Sequence, residues 1–322
     1  MASTTASAET NGDTKRSLRY ADIGINLSDP IFRGIGHGKR NHEDDLIHVI
    51  SRAQKYGVRK MMITGSDYTE SKNAVKLAEE YPGLCYATIG VHPCSAKSLE
   101  EGGEALLEDL KNLAIETRDA GTATAFGEIG LDYDRLEHCD KETQMKWFER
   151  QLDVACDLGM PLFLHSRAAA ADFEAILRKR LDRLPKRGVV HSFTGTLEEM
   201  KGIIDMGFDI GINGCSMKAE ENMAVVKEVP LERLQIETDG PWCEMRPSHA
   251  SSKYLKDAPE LPKAVKKEKW NAECMVKGRN EPCAIFRVAY AIANVKGLSV
   301  EEVAETAWRN SIRMFGLGDS QP

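Results

Sequence analysis

Five side chains able to grip a metal ion or carry a proton stand at the ends of short apolar runs: His92 in Gly90-Val91-His92-Pro93, Glu128 in Ala125-Phe126-Gly127-Glu128, His165 in Leu162-Phe163-Leu164-His165, His191 in Val189-Val190-His191, and Asp239 in Ile236-Glu237-Thr238-Asp239. Asn26 closes a further run, Asp22-Ile23-Gly24-Ile25-Asn26. Any one of these has a bland reading as a satisfied structural residue. The constellation is more telling, because in a parallel barrel only the carboxyl ends of the strands face the loops where such enzymes keep their chemistry. Glu128, His165, His191 and Asp239 offer two imidazoles and two carboxylates, a set that suits Mg²⁺, Mn²⁺ or Zn²⁺ and leaves positions for water and substrate. No Cys joins them, which disfavours a closed structural zinc site. An ion so held makes a water more acidic and polarises a phosphoryl or carbonyl oxygen, so hydrolysis is the expected reaction class.

Positioning these groups on one rim requires repeated βα units. Short apolar runs at Tyr20–Asn26, Val58–Thr64, Leu84–Gly90, Ala123–Glu128, Pro161–His165, Gly188–His191, Phe208–Ile212 and Arg233–Glu237 read as eight strands. Amphipathic segments near Asp44–Tyr56, Thr69–Glu80, Glu104–Ala120, Lys141–Leu158, Ala169–Leu181, Leu197–Met206 and Ala219–Val229 alternate with them, and a helical pair near Cys283–Val295 and Val300–Met314 closes the chain. Gly57, Gly159 and Gly207 follow helical runs and fit left-handed C-terminal caps. Glu128 is expected to end its strand at a tight glycine turn. The pattern predicts a single (β/α)8 TIM-barrel domain over residues 18–318 rather than an open doubly wound sheet. No GxGxxG follows the first strand, so no organic cofactor is expected. One long basic loop after strand 8, residues 241–280, breaks the rhythm; loops of that length in a compact domain are usually functional.

Composition bounds the rest. The chain of 322 residues has 42% hydrophobic and 29% charged residues, ordinary for a globular protein, and no apolar run long enough to cross a bilayer. Residues 1–17, rich in Ser, Thr and Ala without an apolar core, read as a disordered tail. Eight cysteines without a CxxC pair read as free thiols in a reducing compartment, and the expected location is the cytoplasm, with entry to the nucleus open. A net charge of −7 argues against a protein that coats nucleic acid all over and leaves room for one local basic groove.

The chain resembles the TatD family of metal-dependent deoxyribonucleases, among the amidohydrolase-like barrels and their eukaryotic branch. The stretches that carry the likeness are Asp22-Ile23-Gly24-Ile25-Asn26-Leu27, Gly90-Val91-His92-Pro93, Gly127-Glu128-Ile129-Gly130-Leu131-Asp132, His165-Ser166-Arg167, His191-Ser192-Phe193-Thr194-Gly195, Ile236-Glu237-Thr238-Asp239 and Arg279-Asn280-Glu281-Pro282; Pro241-Trp242-Cys243-Glu244 and Ser248-His249-Ala250 point to the eukaryotic branch. The resemblance implies a hydrolase that uses a divalent metal, commonly Mg²⁺, to cleave DNA phosphodiesters, often from single-stranded 3′ ends. It places Glu128, His165, His191 and Asp239 as metal ligands, with Asp239 also the base that activates water. Many members carry H-x-H on the first strand, whereas this chain has Gly24 and Asn26. One metal position is thereby weakened, leaving a single tightly held ion or a second that arrives with substrate.

Other residues are read with alternatives open. His92 is expected to bind the scissile phosphate or protonate the leaving oxygen, or else to steady a ligand by a hydrogen bond. Arg167 is a candidate phosphate clamp because its planar fork matches two phosphate oxygens, a surface ion pair being the plain alternative. Asn26 is expected to hold a water at the metal or to satisfy backbone groups. In the long loop, nine Lys or Arg against five Asp or Glu, together with Trp242, Tyr254 and Trp270, suit single-stranded nucleic acid, with charge for phosphates and rings for bases. A solvated lid with anchoring aromatics is the alternative. Arg279 is placed near the substrate as a binding or loop-fixing residue. Two further readings keep the barrel: an amide or ester hydrolase acting on aminoacyl-RNA, and a nucleic-acid-binding barrel whose catalysis is weakened.

Overall fold

The computed structural model describes residues 18–318; the tail expected over residues 1–17 lies outside them. Eight parallel strands run in sequence order around the sheet: β1 (Tyr20–Ile25), β2 (Val58–Ile63), β3 (Cys85–Ile89), β4 (Ala123–Asp132), β5 (Leu162–Arg167), β6 (Gly188–Val190), β7 (Asp209–Ile212) and β8 (Leu234–Ile236). The ring is closed just past the strand ends, where Asp239 N–H donates to Gly24 O at 2.8 Å and Asn26 N–H to Gly240 O at 2.9 Å. The helices are α1 (Leu46–Lys55), α2 (Tyr68–Glu80), α3 (Lys97–Asp119), α4 (Lys141–Leu158), α5 (Ala170–Arg178), α6 (Leu197–Asp205), α7 (Glu220–Glu228), α8 (Ile285–Lys296) and α9 (Val300–Phe315). The (β/α)8 barrel expected from the alternation is the architecture found.

Strand residues divide by the two-residue period of the pleat. Ala21 and Ile23 of β1, Met62, Tyr86, Ala125, Phe163 and Val189 form a cluster inside the ring, closed by Trp308, Phe315 and Leu317 from the end of the chain. Their neighbours Tyr20, Ile25, Met61, Ile63, Phe126, Leu162 and Leu164 face outward and join the larger core beneath the helices. Both faces are buried, which is why these strands read as nearly continuous apolar runs. Local signals agree with the helix ends. Asp67, Asp140 and Ser299 cap α2, α4 and α9 through their side chains, Thr196 and Glu199 form a capping box on α6, and Gly57, Gly159 and Gly207 have φ of +91°, +61° and +91°.

Two expected elements are corrected. Helix α3 is two helices in succession: a short one from Lys97 precedes Gly103, whose φ of +59° is not helical, and the expected helix follows from Glu104. Strand β4 does not stop at Glu128 but continues to Asp132. Its pairing with β5 slips between Gly127 and Ile129, so a bulge, not a turn, lies where the glycines suggested one. The long post-β8 loop is ordered: Ala264–Val265 pairs with Met275–Val276, and a 3-10 turn spans Ala250–Tyr254. No single helix among the described residues is long and apolar enough to cross a membrane.

Candidate metal centre and active site

The bulge in β4 decides which side chains reach the barrel mouth. Ala125 points inward and Phe126 outward; an unbroken pleat would then send residues 127, 129 and 131 inward. The slip reverses this, leaving Ile129 and Leu131 in the outer core and turning Glu128 and Asp132 to the mouth. Glycine is required at the bulge, because a Cβ on Gly127 would lie 2.1 Å from Phe163 O and one on Gly130 1.8 Å from His165 O.

Glu128 sits at the centre of the site. Its Oε1 is 2.9 Å from His165 Nδ1, 2.7 Å from His191 Nε2 and 3.4 Å from His92 Nε2. His165 Nδ1 and His191 Nε2 are 3.4 Å apart, both turned on that oxygen. The far edges of the two rings meet carboxylates: His165 Nε2 is 3.1 Å from Asp132 Oδ2, and His191 Nδ1 is 3.5 Å from Glu237 Oε2. A carboxylate behind each ring places a proton on that outer nitrogen and aims the other nitrogen's lone pair into the site, an arrangement that orients histidine ligands. Two lone pairs and an anionic oxygen then converge within 3.4 Å. Such a donor set fits a divalent cation.

The titration of these groups follows. Burial opposes charge on His191, yet Glu128 and Glu237 outweigh it and raise its pKa well above the usual imidazole value. His165 is likewise raised against burial by its bonds to Asp132 and Glu128. Burial works against ionisation of Glu128, but the charge of His191 and the bonds from His165 and His191 hold its carboxyl well below the usual range. His92 behaves differently. Burial lowers it to about 4, so the ring is neutral, and Cys94 N–H donates to its Nδ1 at 3.1 Å. The proton therefore lies on Nε2, making His92 a donor into the site, a positioning or phosphate-binding group rather than a lone-pair ligand.

Asp239 reaches the site from the other side, past β8, in a left-handed conformation with φ of +51° that aspartate tolerates better than most residues. Its Oδ1 accepts from Asn26 Nδ2 at 3.1 Å and its Oδ2 from the Cys243 thiol at 3.2 Å. Burial, with Glu237 and Glu128 nearby, raises its pKa to about 7. Asn26 thus steadies both Asp239 and, at 3.2 Å, Gly240 O. Gly24 also has a purpose: a Cβ there would fall 2.4 Å from Glu237 Oε2, so the first-strand glycine makes room for the carboxylate behind His191.

Asp132 and Glu237 were quoted in the sequence motifs without a role, and the structure gives each an imidazole to orient. Glu237 was discoverable as the acid two residues before Asp239, on the same side of the chain. Cys94 also approaches: its thiol groups with His92 and Asp132 as a set that could hold an ion. Burial raises that thiol to about 11, which disfavours the thiolate a metal needs.

The outlying candidates divide. Arg167 is exposed and bonds Asp134 Oδ2 at 2.9 Å, the plain alternative of a surface ion pair. It also lines a cleft of about 710 Å³, with Lys218 and Phe193, between the loops after β5, β6 and β7. Trp242 is 57% exposed beside Asp239. Trp270 is not a free ring: it stacks on His42 at 5.0 Å between centroids and donates to Asp45 Oδ2 at 3.2 Å. Tyr254 is half-buried, and its carbonyl accepts from Asn294. For these two the anchoring alternative holds. Arg279, expected near the substrate, is 2% exposed and engages Ile31 O, Asp45 and Glu281, which makes it the loop-fixing residue. All eight cysteines are free thiols, with Cys215 and Cys243 sulfurs 2.7 Å apart.

Known proteins resemble the chain along nearly its whole described length. The family model for TatD related DNase matches residues 22–316. The Deoxyribonuclease Tat-D of Schizosaccharomyces pombe is 50% identical over 305 residues, covering 93% of this chain and 96% of the relative. The 3′-5′ ssDNA/RNA exonuclease TatD of Pantoea ananatis is 35% identical over 302 residues, covering 92% and 99%. A hydrolase TatD family protein from Entamoeba histolytica superposes with a TM-score of 0.85 at 35% identity, covering 93% of this chain and 98% of that one. Eight strands in this order and a matching motif set along nearly the whole described chain leave one assignment: the chain belongs to the TatD-related DNase family and is a hydrolase.

Proposed function

We propose that the protein is a Mg²⁺-dependent deoxyribonuclease that hydrolyses phosphodiesters at the 3′ ends of single-stranded DNA. The observation that carries the metal dependence is the convergence on Glu128 Oε1 of the two imidazole edges of His165 and His191, each backed by a carboxylate. The direction and strand preference are carried over from relatives such as the Pantoea enzyme, which bears them in its name. Glu128, His165, His191 and Asp239 would hold the ion. A bound divalent cation supplies Lewis acidity toward a phosphoryl oxygen and makes a neighbouring water more acidic.

The protein's own groups do the rest. Asp239, steadied by Asn26 and Cys243, takes the proton of the attacking water. His92 presents Nε2–H to a phosphate or leaving oxygen, its ring fixed by Cys94 N–H. Arg167, on rotating away from Asp134, meets a non-bridging oxygen, and Trp242 offers a face to a terminal base.

The experiment is cleavage of end-labelled single-stranded DNA, resolved on a gel across Mg²⁺, Mn²⁺ and Zn²⁺, beside Glu128→Ala and Asp239→Ala. A ladder shortening from the 3′ end in wild type and a loss of about a thousandfold or more in both variants are expected. Equal cleavage by all three proteins would attribute the activity to a contaminant and sink the reading. Turnover of an acyl ester with intact DNA would replace it by the amide or ester hydrolase.

A further inference from the structure

A second charged feature lies on the outer side of the loops that carry Asn26 and Asp239. The segment after β1 and the long loop after β8 enclose a cleft of about 380 Å³, with His37 on one wall and Lys266, Lys267 and Lys277 on the other. Glu268 is the one acid that lines it. Both segments leave the carboxyl ends of their strands, so the cleft opens on the same face as the metal centre. They are tied to that centre directly: Asn280, next to the cleft residue Arg279, donates to Thr238 O at 2.9 Å, one residue from Asp239.

The lysines are gathered on one wall without counter-charges. Some surface cations elsewhere are paired, as in Lys146 with Glu100 at 2.8 Å, Arg150 with Glu104 at 2.7 Å and Lys253 with Glu220 at 2.8 Å. Among the described residues no carboxylate lies within 4.0 Å of the Lys266, Lys267 or Lys277 ammonium, and all three residues are exposed. Residues 263–278 hold five lysines against two glutamates, in a chain of net charge −7. Arg279 beneath adds little field, because Asp45 and Glu281 neutralise it together with Arg52. Unpaired cations gathered on an acidic protein create a local attraction for a polyanion. The lining holds no Trp, Tyr or Phe, and its three lysines favour phosphate over bases.

We propose that this cleft is a backbone-binding tract for the part of a single-stranded nucleic acid that trails away from the barrel mouth, so that it favours long strands over short ones. The proposal rests on the nuclease reading for its substrate, but it can be tested apart from it. The triple variant Lys266→Ala/Lys267→Ala/Lys277→Ala should bind a labelled strand of about 20 nucleotides about tenfold more weakly, read by fluorescence anisotropy without added metal. Its log affinity should also fall less steeply with log salt, by about 2 in slope for three lost contacts at roughly 0.7 each. The Lys→Arg triple should keep the wild-type slope. An abasic strand of equal length should lose the same factor in the Ala triple as its parent does. Turnover of a trinucleotide should stay within about twofold in both triples. Absence of trinucleotide cleavage by wild type would refute the nuclease reading while leaving the binding arm intact. The cleft assignment fails on either of two results: an unchanged salt slope in the Ala triple, or tighter binding of inorganic tripolyphosphate than of the strand.

Discussion

Arg279 should be worth several kcal/mol to the fold and little to the chemistry. Its guanidinium donates to Asp45 through both Nη atoms, to Glu281 Oε1 at 2.8 Å and to Ile31 O at 3.0 Å, with all three side chains nearly inaccessible. Arg279→Met removes these bonds unequally. Glu281 keeps Arg52, whose Nε and Nη2 lie at 2.8 and 3.2 Å. Asp45 keeps Trp270 Nε1–H at 3.2 Å, with Arg52 Nη2 at 3.8 Å and His42 Nδ1 at 4.0 Å. The net change is one buried carboxylate losing its principal partner, which costs about 3–5 kcal/mol. That is a large share of the roughly 5–15 kcal/mol that holds a typical domain together. Urea unfolding followed by circular dichroism measures it, and the double variant with Asp45→Asn should recover about 2 kcal/mol, since the stranded charge is then gone. Cleavage of a trinucleotide per folded molecule should stay within about twofold of wild type. A loss below about 1 kcal/mol together with a large rise in KM would return Arg279 to the substrate and refute the anchoring argument.

Three further outcomes are expected. Glu237→Gln removes the charge behind His191 Nδ1 while its shape still accepts from Ser192 N–H, so Mn²⁺ affinity by calorimetric titration should fall about 10- to 100-fold; unchanged affinity would leave Glu237 a packing residue. Asp22 is buried and its pKa is raised to about 8 from 3.8 by that burial, against the hydrogen bonds from Thr238. The folded state therefore favours its neutral form, and the stability it contributes is whole below about pH 4 and is lost as pH rises toward about 8. Wild type should accordingly weaken relative to Asp22→Asn between about pH 5 and about pH 8, by up to about 1.4 kcal/mol per unit, and parallel denaturation curves would contradict it. Trp242→Ala should weaken binding of a single strand by about 1–3 kcal/mol with an unchanged melting temperature, because the ring is 57% exposed; a melting temperature that drops would mean the ring is packed.

The fold was legible because its signals are local. Strands buried on both faces are short apolar runs whatever they pair with, and helices often end on a residue with φ > 0, which Gly57, Gly159 and Gly207 supply here. What failed was the meaning of glycine in β4. Gly127 and Gly130 read as a turn because glycine is common in turns, but here they answer a different need, the close approach of β5, whose Phe163 and His165 carbonyls leave no room for a Cβ. Composition does not separate those two needs. Gly103 shows a third use, separating a short helix from Lys97 that the sequence pattern does not reveal from the longer one it starts at Glu104.

The site was legible in proportion to how little its residues depend on that bulge. His191 and Asp239 follow their strands and His165 ends the apolar run of β5, which continues two residues beyond it to Arg167, so a polar residue after an apolar run locates all three. Asp132 does not yield to that rule: in an unslipped β4 it would still stand four residues from Glu128 on one face, but that face would be the helical one, where a carboxylate has no imidazole to meet. The slip moves both acids to the mouth together, so Asp132 and Glu128 take hold of the two nitrogens of one ring, His165. The aromatics of the basic loop failed for the same kind of reason. Trp270 and Trp242 look alike in sequence, and only the position of Asp45, far away in the chain, turns one inward and leaves the other exposed. The proposed single-strand binding by that loop is therefore divided between Trp242 near the metal centre and unpaired lysines farther out, two contacts of different chemistry. A stacked base and a trailing backbone should respond to salt differently, the first hardly at all and the second steeply.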